Sequence, residues 1–112
     1  MKLITAVIKP FKLDEVRLAV VDLGIQGITV SEVHGYGLLP GLAQHPPKDA
    51  FSADFLPRCK VELAVDDSIA EQVVEALCNV ARTGTAGDGK VWTAELRQAL
   101  HVRTGATGPD AI

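Results

Sequence analysis

Residues 59–80 read CKVELAVDDSIAEQVVEALCNV, and two periodicities meet inside them. Up to Val65 the apolar side chains fall at every second position, Cys59, Val61, Leu63 and Val65, with Lys60, Glu62 and Ala64 between them. That alternation is the pattern of a strand with one buried face. Beyond Asp66, Asp67 and Ser68, residues suited to accept hydrogen bonds from the first N–H groups of a helix, the spacing changes. Ile69, Val73, Leu77 and Val80 now share one helical stripe. A strand that hands over to a helix within three residues is half of a β-α-β unit, so the fold turns on what flanks it.

The N-terminal side repeats the arrangement. KLITAVIK at 2–9 is short, β-branched and closed by Lys9-Pro10, which makes it a strand with both faces largely apolar. Leu13, Val16, Val20 and Leu23 then follow helical spacing, with Gly24 where a helix cap belongs. ITVSEV at 28–33 is a second strand running on towards Gly35, Tyr36 and Gly37. On the C-terminal side Gly84 is expected to close the second helix, KVWTAEL at 90–96 is a strand, and ALHVRTG at 99–105 is a short fifth strand or a turn. Between the halves, residues 37–57 hold four prolines and read as a long loop, a feature that in a small domain is usually functional or disordered.

The order β-α-β, loop, β-α-β predicts an α+β fold of the ferredoxin-like βαββαβ type, an antiparallel sheet with both helices on one face. The other face of the sheet is then bare, and a first strand that is apolar on both sides needs a partner there. In a chain of 112 residues, expected to be a single domain over 1–112, the simplest partner is another copy, so a homo-oligomer is expected.

Composition narrows the function. With 47% hydrophobic residues, 22% charged and a formal charge of -3, the chain is globular and lacks the basic excess that neutralising nucleic-acid phosphates requires. Cys59 and Cys78 lie within predicted elements at no metal-ligand spacing and are expected to be small buried apolar residues. The apolar run at the start is too short to cross a bilayer and has no signal-peptide cleavage pattern, so no membrane insertion and a cytoplasmic location are expected.

The glycine-rich TGTAGDGK at 83–90 approaches the P-loop pattern but fails on its mechanics. Val91, not Ser or Thr, follows Lys90, and a strand rather than a helix comes next. Taken alone, the segment reads equally well as a tight turn or as a backbone cradle for an anion.

KPFKLDEVRLAVVDLGIQGITVSEVHGYG at 9–37, ADFLPRCKVEL at 53–63, TGTAGDGKVW at 83–92 and VRTG at 102–105 resemble the PII signal-transduction family, the nitrogen regulatory P-II proteins. The resemblance implies a homotrimer of ferredoxin-like subunits that binds ATP or ADP in clefts between subunits. It also implies a T-loop, here about 37–55, that docks on a target protein such as a membrane transporter. It assigns the phosphates to Gly87, Asp88, Gly89 and Lys90, with Gly35, Tyr36 and Gly37 approaching from the other side of the cleft. Arg103 of a neighbouring subunit would add a forked cation, and Thr29, Glu62 and Ala64 would hold the adenosine end. Arg58 stands where relatives often carry Lys, and His101 where many carry a second Arg; imidazole makes phosphate affinity there sensitive to pH.

Other departures from the family pattern fall in the loop. Leu39 replaces a Gln whose amide oxygen helps hold magnesium, and a hydrocarbon offers a hard cation nothing, which argues against magnesium-dependent 2-oxoglutarate binding. Phe51 replaces a modifiable Tyr, so no uridylylation is expected there, and Asp49 replaces a serine target. Pro40, Pro46 and Pro47 bias the loop towards extended conformations.

A non-catalytic, nucleotide-sensing regulator is therefore expected, since no nucleophile stands beside a base and an orienting acid. The alternative is a metal-binding or metal-transport-linked trimeric regulator of CutA-like architecture, with His34 and His45 as candidate ligands, although the three histidines show no short ligand spacing.

Overall fold

The computed structural model describes residues 1–36 and 55–112. Gly37, Leu39, His45, Asp49 and Phe51, and with them nearly all of the expected T-loop, lie outside the described residues.

Strand β1 (Lys2–Ile8) leads through a 3-10 turn at Pro10–Lys12 into α1 (Leu13–Asp22), followed by β2 (Thr29–Gly35), β3 (Leu56–Val65), α2 (Asp67–Ala81) and β4 (Gly89–Glu95). Pro10 suits the first position of its turn because its fixed φ is already helical and its missing N–H has no partner to lose. Helix α1 ends as the sequence indicates. Gly24 takes φ 83°, its N–H reaches Val21 O at 2.9 Å, and Ile25 N–H reaches Val20 O at 3.1 Å, the paired closure that a left-handed glycine permits. Helix α2 starts at Asp66, whose carboxylate accepts from Ser68 N–H at 2.9 Å.

The second helix stops differently from expectation. It ends at Ala81, and Arg82 is already extended, so the left-handed Gly84 belongs to the following loop rather than to the helix cap. Strand β3 begins at Leu56, three residues before the alternation becomes legible; Pro57 is tolerated because β1 pairs with β3 only as far as Cys59, so that flank is without a ladder. Residues 99–105 form a turn, not a fifth strand: a single antiparallel bridge joins Leu100 to Thr107, tightened by Gly105 N–H to His101 O at 2.8 Å.

The strands form an antiparallel sheet in the order β2-β3-β1-β4, so the expected ferredoxin-like α+β architecture is present, with both helices on one face. Register makes the two faces explicit. Ile4, Ala6 and Ile8 lie opposite Leu63, Val61 and Cys59, and these six pack with Val16 and Val20 of α1 and Val73 and Leu77 of α2 into the core. Each fully buried aliphatic side chain there contributes roughly 1.5–3 kcal/mol of transfer free energy. The other face carries Leu3, Thr5 and Val7 of β1, with Lys60, Glu62 and Ala64 of β3 and Lys90, Trp92 and Ala94 of β4 alongside. None of these residues is in the core cluster, and Trp92 is 48% exposed. Cys59 is buried as expected, whereas Cys78 is only half-buried.

Candidate functional site

The glycine loop joins the end of α2 to β4. All three of its glycines take a left-handed backbone, Gly84 at φ 84° like Gly87. Gly89 takes φ 107° while lying so close to β1 that a Cβ would stand 1.8 Å from Val7 O. Only hydrogen fits at Gly89.

Asp88 does not point outward. Its carboxylate turns back into the loop, accepting from Thr83 N–H at 2.8 Å, from Gly84 N–H at 2.9 Å and from the Thr83 hydroxyl. Lys9, at the end of β1, stands 3.1 Å from the same carboxylate and also donates to Thr83 Oγ1 at 3.1 Å and Thr85 Oγ1 at 2.5 Å. The Thr83 hydroxyl bond, followed by the two backbone donors and Lys9, holds the Asp88 carboxyl well below the usual carboxylate range despite partial desolvation. With its native value depressed, Asp88 contributes loop stability that is fully present above the unfolded carboxylate value of about 3.9 and is lost as pH falls from there through the native value. The amide signals of Thr83 and Gly84 are therefore expected to hold their neutral-pH positions down to about pH 4 in an NMR titration and to move only in stronger acid. Movement centred near pH 5–6 would contradict the latch.

With the Asp88 side chain turned inward, the loop's outer surface is left to donors. Among the described residues, the backbone N–H groups of Ala86, Gly87 and Asp88 meet no protein acceptor, and the Lys90 ammonium has no ion pair. Consecutive unpaired N–H groups around a left-handed glycine form a concave nest for an anion. Lys90 lies opposite Val7 on the uncovered face, and its side chain is exposed.

The remaining candidates fall into separate groups. Thr29 lies directly opposite Glu62, and Ala64 follows two residues on along the same face, opposite Leu3. Glu62 is held by Lys60 at 3.2 Å. Gly35 ends β2 opposite Leu56; among the described residues a Cβ there would meet only Arg58 Cγ, at 3.6 Å, so none of them demands a glycine. Tyr36 packs its ring against Phe55 at 5.8 Å, and Arg58 donates to Pro57 O at 2.7 Å. His101 caps its own turn, with Nδ1 accepting from Thr104 N–H at 3.3 Å. Arg103 is exposed, and among the described residues it makes no contact with the glycine loop. Glu62 and Lys90 share a face but are two strands across and two residues along from each other, about 12 Å by ordinary strand spacing and rise.

The described residues of one chain thus leave these groups spread over the sheet and the loop. The cavity beside the loop, between Arg82 at the end of α2 and Lys90 and Val91 of β4, holds about 170 Å³. A drug-sized ligand takes roughly 300–1,000 Å³. For the metal alternative, no group of three or more His, Cys, Asp or Glu that could hold an ion occurs among the described residues, and His34 stands on β2 opposite Pro57. No helix among the described residues is long and apolar enough to cross a membrane.

Lys9, Thr83 and Thr85 complete the loop's hydrogen-bond network and are residues that the sequence did not single out. Their signal is faint: a lysine directly before the proline that ends β1, and threonines flanking the first glycine of the loop.

An antiparallel sheet in this order, with two helices on one face, agrees with the family comparison. The family model described as Nitrogen regulatory protein P-II matches residues 1–106. The chain belongs to that family, and its role is nitrogen-regulatory signal transduction. Among its relatives, proteins described as Nitrogen regulatory protein P-II are 47% identical in Rhizobium meliloti (strain 1021), 45% in Rhodospirillum rubrum and 42% in Nostoc punctiforme, each over 100% of both chains.

Proposed function

We propose that the chain is a non-catalytic sensor that binds adenine nucleotide, ATP or ADP, between subunits of a homotrimer and reports occupancy to a target protein in the cytoplasm through residues 37–55. The observation that carries this reading is the glycine loop, where the side chain that would repel a phosphate is internally neutralised while three adjacent N–H groups and one ammonium meet no acceptor among the described residues. A charge-assisted bond from Lys90 and a nest of N–H donors match a polyphosphate and no neutral ligand so well. The bare sheet face and the small single-chain cavity favour a site completed by a neighbour, with Arg103 supplying the second cation. Thr29, Glu62 and Ala64, paired across β2 and β3, would take the adenosine end.

The target is set by the loop, which can respond to nucleotide only if the nucleotide binds one loop state better than another. Leu39 offers magnesium no oxygen, so ATP binding here does not draw on 2-oxoglutarate. Calorimetric titration tests both statements. ATP and ADP are expected to bind saturably, and 2-oxoglutarate with magnesium is expected to leave the ATP affinity within about twofold. Strong synergy between ATP and 2-oxoglutarate would overturn the Leu39 argument, and absence of ATP binding would overturn the sensor.

A further inference from the structure

We propose that Lys9 is a positioning residue that sets the glycine loop for its anion by orienting the Thr83 hydroxyl towards Asp88 and offsetting the Asp88 charge. The proposal rests on the nucleotide reading for its ligand, but its geometry stands within the ligand-free chain. An ammonium can only donate. Because Lys9 Nζ donates to Thr83 Oγ1 at 3.1 Å, that oxygen spends its own proton elsewhere, and of the two acceptors in reach, Asp88 Oδ1 and Thr85 Oγ1 at 2.7 Å, the charged carboxylate is the stronger. Lys9 also lies 3.1 Å from Asp88 and ties down Thr85 at 2.5 Å, so one side chain just past β1 fixes three residues of a loop more than seventy positions away.

The consequence for the ligand follows from charge. A carboxylate beside a phosphate nest repels the phosphate unless a cation and hydrogen bonds hold it inward. Lys9 is the cation placed to do this. Arg82 at the end of α2 and Lys90 at the start of β4 share the adjoining cavity with Asp88, but neither pairs with it among the described residues, and Lys12 is taken by Glu15 at 3.2 Å. Without Lys9 the Thr83 hydroxyl is free to rotate, and the Asp88 carboxylate is released towards the surface where Ala86, Gly87 and Asp88 present their N–H groups.

The test follows the Asp88 side-chain carboxyl carbon by NMR as pH is lowered, without ligand, in the unaltered chain and in Lys9→Met, Lys9→Arg and Thr83→Val. ATP affinity is then measured for the same four proteins. Lys9→Met and Thr83→Val are each expected to raise the Asp88 midpoint by roughly one pH unit or more, and Lys9→Arg, which keeps a donor-only cation, to hold it lower than Lys9→Met does. ATP affinity is expected to fall about tenfold in Lys9→Met and to recover in part in Lys9→Arg. An Asp88 midpoint unmoved in Lys9→Met, or a shifted midpoint with unchanged ATP affinity, overturns the proposal. If the unaltered chain binds no ATP, the nucleotide reading fails, and the Asp88 midpoints alone decide whether Lys9 positions the loop. Thr83→Val answers the same question should Lys9→Met not fold.

Discussion

Gly89→Ala lowers the stability of the chain by roughly 3 kcal/mol or more, read as a shift in the denaturation midpoint. Two separate penalties combine. A residue with a Cβ at φ 107° is strained by about 1–3 kcal/mol, and forcing an atom into packed structure costs about 1–3 kcal/mol further. The atom in the way is Val7 O, 1.8 Å from the added carbon, and it belongs to the backbone of β1, which cannot rotate aside as a side chain could. Relief requires the start of β4 to lift from β1, breaking the register that sets Gly89 opposite Ile8 and Lys90 opposite Val7. Nucleotide affinity should therefore fall together with stability. A variant within about 0.5 kcal/mol of the unaltered chain would show that β4 can move without cost.

Lys90→Ala separates binding from folding. The Lys90 side chain is exposed and has no ion pair among the described residues, so its removal should change stability by less than about 0.5 kcal/mol. On the nucleotide reading it removes a charge-assisted hydrogen bond to phosphate, worth about 1.5–3 kcal/mol, so ATP affinity should fall roughly 10- to 100-fold with the assembly intact. Unchanged affinity would take the glycine loop out of the site.

The contrast between these two neighbours shows what the sequence could and could not reveal. The sheet and helices were legible because the alternation at Cys59–Val65 and the stripe from Ile69 to Val80 each require a particular period, and the structure follows both. Helix ends were less legible. Gly24 does close α1, but Gly84 looks identical in sequence and lies beyond a helix that has already stopped, since only the backbone at Arg82 decides where the turn begins. Pro57 hid the first residues of β3, because a proline is compatible with a strand only where the neighbouring ladder is missing, and that depends on how far β1 extends.

In the loop, the glycines and Lys90 stood out, yet the reasons differ by residue. Gly89 reads as a phosphate contact in sequence, whereas the backbone of Val7 already demands it. Asp88 reads as part of the phosphate wrap, whereas its carboxylate faces Thr83, Gly84 and Lys9. Lys9 escaped notice because an ion pair spanning the chain from residue 9 to residue 88 leaves no local pattern. Gly35 is the reverse case: with ordinary room for a methyl group beside Arg58, its glycine has no explanation among the described residues.

The central claim is that two chains complete one site, Lys90 from one and Arg103 from its neighbour. Mixed assemblies test it most directly. Lys90→Ala and Arg103→Ala chains, each weak in ATP binding on its own, are unfolded together, refolded as mixed oligomers and titrated with ATP. Recovery of a fraction of sites at the unaltered affinity is predicted, because some clefts then unite an intact Lys90 with an intact Arg103 from different chains. Mixed oligomers that bind no better than either parent would contradict a shared site.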